Sequence, residues 1–237
     1  MVVNPDKFQV MFLGSGVDGL SLDICDFTIR GKDTVKLLGI TLDRKLSFSN
    51  HISEICDKAN RKISALLRIR KFLNTRKAFL LFNAYIMSHF KYCPLIWMFS
   101  SKGDSQKIDS TQVRALRVVM FNFTKTRHEL FSNLNLVSIH TSCLHLLLAE
   151  VFKSIHKLNP EFMWEMFTVK RTNRELRRKL ILNLPTNNGK SDIVFRAVLA
   201  WNNLPAHIMH SENLNIFRSY LKGASKLYIV LANLIYV

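Results

Sequence analysis

Lys58, Arg61 and Arg68 are cations at helical spacing, in a stretch where residues 58–103 hold ten Lys and Arg and no Asp or Glu. At about 100° per residue, Arg61 and Arg68 point the same way and Lys58 lies at their flank. Such a face can neutralise consecutive phosphates, which supply most of the sequence-independent affinity for nucleic acid. The charge is unevenly spread. Residues 1–57 carry six basic and eight acidic side chains, a balance of −2, so residues 58–237 carry +19 of a chain whose net charge is +17. Ordinary surfaces mix both signs, and a single-sign field of this length points to an anionic partner, with nucleic acid first. The plainer alternative is an open reading frame whose charge serves nothing.

Catalytic groups are harder to find. The chain has no Gly-x-Ser-x-Gly, no P-loop and no His-Glu-x-x-His. A two-metal centre needs paired carboxylates. No Asp-Asp dipeptide occurs, and Asp18, Asp23, Asp26 and Asp33 are scattered over loop and strand. No metal site is expected. His140 with Cys143, and His207 with His210, each share a helix face, but neither pair has a partner pair in sequence. Gly14, Gly16 and Gly19 spell a formal G-x-G-x-x-G, which would hold a pyrophosphate only if a helix opened there. The next residues are instead Leu20, Leu22 and Ile24 alternating with Ser21, Asp23 and Cys25, a half-buried strand, so the glycines are expected to join two strands. Cys25, Cys56, Cys93 and Cys143 lie too far apart for a Cys-x-x-Cys pair. With no signal peptide, they are expected to be reduced, buried thiols of an intracellular protein.

The elements that must position these residues fall into two regimes. Up to about Leu42 the pattern is β: residues 7–13 as a strand covered on both faces, then the alternating strand, then a short apolar run at residues 35–40. From Ser49 the period is helical. Ser49 or Asn50 can cap a helix that buries Ile52, Ile55, Ala59, Ile63 and Leu66. Arg70 falls on that apolar face, so it must snorkel or the helix must already have bent or ended. Asn74 or Thr75 can cap a second helix, with Phe79, Leu80, Phe82, Ile86, Met87 and Phe90, ending before Pro94. A third begins at Asp104 or Ser105 with Ile108, Val113, Leu116 and Val119 inward, and Thr126 to Glu129 spell a capping box. Residues 139–157 form an apolar helix, and Pro160 can open a short one over residues 161–167. Most of the seventeen phenylalanines are expected in the core. The basic run from Lys170 to Lys179 suits a phosphate-contacting arm, a nuclear import signal or a solvated linker. The apolar tail at residues 227–237 is well short of the roughly twenty residues of a membrane helix. The fold class is mainly α with a small N-terminal β portion.

Val35-Lys36-Leu37-Leu38-Gly39-Ile40-Thr41-Leu42-Asp43, with Leu46-Ser47-Phe48-Ser49-Asn50-His51-Ile52 just after it, resembles the handover from palm to thumb in a non-LTR (LINE-type) retrotransposon reverse transcriptase. Residues 4–14 are similar to the palm strand after the catalytic turn. Tyr92-Cys93-Pro94-Leu95-Ile96-Trp97-Met98-Phe99 resembles a thumb sequence of the same family. Residues 113–119 and 136–140 match more loosely. Trp201-Asn202-Asn203-Leu204-Pro205, with residues 214–218 after it, is similar to the family's C-terminal Trp-Asn-x-Leu-Pro element, although Ala200 precedes the tryptophan where a Gly-Pro is expected nearby.

The resemblance implies a palm-sheet remnant over 1–46, a helical thumb-like bundle over 47–123, further helices over 124–169 and a basic C-terminal region over 170–237. It also implies that Lys7 lies near the incoming triphosphate, and that Leu38 and Gly39 belong to a primer-grip turn where glycine removes a Cβ from the path of the primer backbone. Lys58, Arg61 and Arg68 would meet the phosphates of an RNA or RNA–DNA duplex. The expected protein is the C-terminal part of an RNA-directed DNA polymerase without catalytic residues, separated from its palm and fingers. Magnesium is expected only in the full-length enzyme and no cofactor in this chain. The expected setting is a nuclear or cytoplasmic ribonucleoprotein, with no membrane partner. The second reading is a non-enzymatic helical module, domesticated or decaying, that binds nucleic acid or does nothing. An in-frame aromatic-Ala-Asp-Asp upstream of Met1 would separate the two.

Overall fold

The structure, a computed structural model, describes residues 8–14, 19–24, 27–170, 180–185 and 193–223. It is mainly helical, with a small β portion ahead of the first helix. The chain divides into two compact units: residues 1–93 with 100–130, and residues 94–99 with 131–237.

In the first unit, β1 (Ser21–Ile24) pairs antiparallel with β2 (Phe27–Arg30), and β3 (Thr34–Leu37) with β4 (Ile40–Asp43), as two separate hairpins. The β portion departs from the sequence expectation in three ways. Residues 8–13 form no strand and are held by the bond from the Lys32 N–H to the Val10 carbonyl at 2.8 Å. A strand covered on both faces needs sheet neighbours, and no strand among the described residues pairs with this segment. Strand β1 exists but exposes Leu22. Residues 35–40 are not one run, because Leu38 (φ 47°) and Gly39 (φ 85°) turn the chain between β3 and β4. Two positive φ values in a two-residue loop are a type I′ turn, a geometry for which leucine is poorly suited. The G-x-G-x-x-G segment, of which residues 15–18 lie outside the described residues, leads into β1 and not into a helix.

Helix α1 (Ser49–Ile69) buries Ile52, Ile55, Ala59, Ile63 and Leu66, the five positions that the periodicity selects, together with His51 and Cys56. Its start differs from expectation. No side chain caps it; the residue before it, Phe48, is left-handed at φ 60°. The Asp43 carboxylate fixes this loop by accepting the N–H groups of Lys45 (3.1 Å), Ser47 (3.1 Å) and Phe48 (2.8 Å) and the Ser47 hydroxyl (3.0 Å). Burial pushes that carboxyl up, but these donors outweigh it and hold it below the usual aspartate range. Two further bonds seat β4 on α1: the Thr41 N–H donates to His51 Nδ1 at 3.3 Å, and its hydroxyl to Glu54 at 2.9 Å.

Helix α1 ends at Ile69 and tightens into a 3-10 turn, Arg70–Phe72. Arg70 therefore does not snorkel; it is buried. Helix α2 (Thr75–Leu81) begins at Asn74, whose side chain accepts the Lys77 N–H at 2.9 Å. The single helix expected here is interrupted by a π turn, Phe82–Ile86, before α3 (Met87–Lys91). The turn places Phe82 and Ile86 inward and leaves Leu80 and Tyr85 exposed.

The next two helices belong to different units. Helix α4 (Pro94–Trp97) is part of the second, and α5 (Lys102–Met120) of the first. Helix α5 is capped by the Ser101 hydroxyl on the Asp104 N–H. Bonds from Ser49 to Asp104, Lys107 to Ser53 and Arg114 to Asn60 advance together along both chains, so α1 and α5 run parallel. Asp104 joins their two N-termini. It accepts the hydroxyls of Ser49 at 2.6 Å and Ser101 at 2.7 Å, with Lys107 at 3.1 Å. The Thr126–Glu129 capping box forms reciprocally at the start of α6 (Arg127–Asn133).

The second unit is built on α7 (Ile139–Ile155), capped by Ser138 on the Thr141 N–H at 3.1 Å. Helix α8 (Glu161–Trp164) stops short of the expected residue 167 and buries nothing. Helices α9 (Ile193–Asn202), α10 (Ala206–Met209) and α11 (Leu214–Gly223) complete the unit. The Trp-Asn-x-Leu-Pro element has a packing role at four positions. Trp201 is fully buried, donates from Nε1 to the Leu180 carbonyl at 2.7 Å, and stacks on Phe217, which stacks on Phe152. Asn202 accepts the Leu182 N–H and donates to the Leu182 carbonyl, both at 2.9 Å. Leu204 is fully buried, and Pro205 precedes α10. Leu182 also forms a bridge with Val169 that no sequence pattern announces. The basic segment 171–179 between them, and the tail 224–237, lie outside the described residues.

Candidate nucleic-acid interface

The parallel packing of α1 and α5 leaves a polar groove along their shared edge. One part, of about 600 Å³, is lined by Ser53, Cys56, Asp57, Asn60, Gly103, Gln106, Lys107, Ser110 and Thr111. The next, of about 440 Å³, is lined by Asp57, Asn60, Arg61, Ser64 and Arg68. Arg61 and Arg68 thus share one wall, as helical spacing requires, and both are exposed. Arg68 donates to the Ser64 carbonyl at 3.5 Å, which leans it along the helix.

From α5, Arg114 reaches across to Asn60 Oδ1 at 2.9 Å and to the Ser64 hydroxyl at 3.4 Å. Three guanidinium groups and Lys107 therefore share this edge with hydroxyls and amides. Asp57 is the acidic member of the lining. Phosphates suit such a surface, because planar guanidinium forks meet them bidentately. Sequence spacing could not select Arg114, since its position depends on the registry of two helices.

Lys58 stands apart from this pair. Its Nζ is 4.0 Å from Glu54, one turn earlier. Burial, and then the charges of Lys58 and Lys62, pull His89 below the usual histidine range, so both lysines act on the flank facing α3. That exposed pair with Glu54 contributes little stability.

Leu38 and Gly39 form the tip of the β3–β4 hairpin. Leu38 is 82% exposed despite its left-handed backbone, and its carbonyl accepts the Tyr92 hydroxyl. A Cβ on Gly39 would stand 3.7 Å from the Tyr92 ring, so its positive φ, not crowding, is what calls for glycine there. Lys7 lies outside the described residues.

No family model, curated protein or solved structure matches this chain.

The remaining chemistry-bearing residues are occupied structurally. Asp23 accepts the Thr28 hydroxyl and Asp33 pairs with Arg44, so they do not form a carboxylate pair; Asp18 and Asp26 lie outside the described residues. Among the described residues no three His, Cys, Asp or Glu side chains converge on a possible metal position. Cys56 and Cys143 are buried, and burial pushes the Cys143 thiol up to about 12. Cys93 is exposed, contrary to the expectation of buried thiols, because it lies in the left-handed turn between α3 and α4, and Cys25 lies outside the described residues. Among the described residues no helix is long and apolar enough to cross a membrane.

Proposed function

We propose that this chain is a nucleic-acid-binding helical module, corresponding to the region from the end of the palm through the thumb and C-terminal part of a non-LTR retrotransposon reverse transcriptase. It holds an RNA or RNA–DNA duplex by its phosphates and contributes no polymerase chemistry of its own. The observation that carries this reading is the edge of α1 that bears Arg61 and Arg68, where Arg114 of α5 reaches Asn60 and Ser64 of the same lining, within a chain whose residues 58–103 contain no acidic side chain. The ordered series of sequence resemblances supports the polymerase origin. The absence of any Asp-Asp pair supports a binding role without catalysis.

Incubation of the purified chain with primer, RNA template, triphosphates and magnesium tests both halves. The chain should retard the duplex in a gel and extend no primer. Extension that a point substitution in this chain abolishes would overturn the reading, as would failure to retard any nucleic acid at low salt.

A further inference from the structure

The segments that follow α1 and α5 carry exposed phenylalanines that core packing does not explain. Phe72, Phe121 and Phe123 are 75%, 54% and 54% exposed. Phe121 occupies the left-handed position after α5 (φ 50°), with its N–H on the Val118 carbonyl and the Asn122 N–H on the Arg117 carbonyl, both at 3.0 Å. Glycine is the undemanding residue in that motif, since a Cβ there costs energy. A phenylalanine in that conformation with half its surface in water gains little burial in return.

The ring is nevertheless held. The Arg70 guanidinium, fixed by its bonds to the Val118 and Val119 carbonyls, stands 5.5 Å from the Phe121 centroid. Phe123 meets Phe121 edge-on at 6.3 Å. The loop that presents Phe123 is pinned by Asn122, whose Oδ1 accepts the N–H groups of Thr124 (3.1 Å) and Lys125 (3.2 Å). Lys71 lies 5.0 Å from the centroid of Phe72. The acidic side chains nearest in sequence are already engaged: Glu129 in the capping box and Asp109 with Arg127. Exposed aromatic rings flanked by cations are how single strands are bound, with bases on the rings and phosphates on the charges.

The geometry points to a stacking site for unpaired nucleobases of a single-stranded segment on Phe121 and Phe123, distinct from the phosphate-binding edge of α1 and α5. It rests on the nucleic-acid reading above and adds to it a preference for a flanking single strand.

The test compares the full chain with Phe121→Gly and Phe123→Ser on a single-stranded oligonucleotide containing 2-aminopurine, and on a blunt RNA–DNA duplex. Phe121→Gly keeps the left-handed turn, so circular dichroism should be unchanged. Each variant should bind the single strand roughly five- to a hundred-fold more weakly, the equivalent of one base stack, and lose the fluorescence quench. The salt slope should stay the same, because every phosphate contact is retained. Phe121→Tyr should restore binding. Unchanged single-strand affinity and quench in both variants would overturn the stacking site while leaving duplex binding intact. If the wild type bound neither probe, the functional reading itself would fail, and this site with it.

Discussion

Arg70, the first residue after α1, closes the C-terminus of α5: its guanidinium donates to the Val119 carbonyl from Nε at 3.0 Å and from Nη2 at 2.8 Å. The same group reaches the Leu73 carbonyl and the Thr75 hydroxyl. One buried cation thereby satisfies carbonyls that the last turn of a helix leaves without partners, where positive charge is also favoured by the helix dipole. Arg70→Ala should lower unfolding free energy by about 3 kcal/mol, since the carbonyls stay buried and lose charged donors. Arg70→Lys should recover little of it, because an ammonium cannot reproduce the fork. Urea denaturation of the two variants measures both effects.

Leu38→Asn should make the protein more stable, by about 1 kcal/mol. It removes a branched side chain from a left-handed position and creates the Asn-Gly pair that type I′ turns favour. Little burial is sacrificed, as Leu38 is 82% exposed. If Leu38 also touches a primer strand, the same variant should bind duplex more weakly, so measuring melting temperature and affinity together separates the two roles. A drop in stability would show that the turn geometry is misassigned.

Stability should decline as pH falls below about 6.5. Burial, then the charge of Lys222, pushes His145 down to about 4. Burial also lowers His51, which accepts the Thr41 N–H only when its Nδ1 is unprotonated. Proton binding sets the sign. The unfolded chain takes up protons near the ordinary histidine pKa of about 6.5 and the folded chain does not. The stability from neutral His145 is therefore complete above about 6.5 and is lost as pH falls toward about 4. Melting temperatures at about pH 7.5, 6 and 5 should decrease in that order, and the decrease should shrink in His145→Phe. A flat profile would refute the neutral state of the half-buried His145.

Asn202→Asp should cost about 2 kcal/mol, since it removes the donor to the buried Leu182 carbonyl and sets a carboxylate against it. Ile63→Ala in the first unit should cost roughly 2–5 kcal/mol through the cavity it leaves. Thermal denaturation of each variant, monitored by tryptophan fluorescence and circular dichroism, checks both values.

The parts of the structure legible in the sequence are those governed by local rules. The α1 core face comes from period alone, and the Asn74 cap and the Thr126–Glu129 box from residue type and spacing. Arg70 is visible as a discord in the pattern, but its partners are not, because they lie on another helix. Long-range contacts hide the rest. Asp43 replaces a conventional cap on α1 by folding the loop back on its own carboxylate. The π turn at Phe82–Ile86 breaks a helix whose apolar pattern runs straight through it. Residues 8–13 are apolar enough for a buried strand, yet composition specifies one only where a sheet exists to receive it. At the candidate interface, Arg61 and Arg68 can be paired from spacing, whereas Arg114 requires the parallel registry of α1 and α5.

The salt dependence of RNA–DNA duplex binding is the most direct measurement of the central claim. Wild type should show a steep negative slope of log K against log salt. Replacing Lys58, Arg61 and Arg68 together with Ala should leave the fold intact, weaken binding at low salt and flatten the slope by about one unit for each phosphate no longer neutralised. Adding Arg114→Ala should flatten it further, while Arg61→Ala with Arg68→Ala should account for more of the effect than Lys58→Ala alone. Unchanged affinity and slope in the triple variant would mean that this edge is a solvated helix surface and that the chain does not hold a duplex through it.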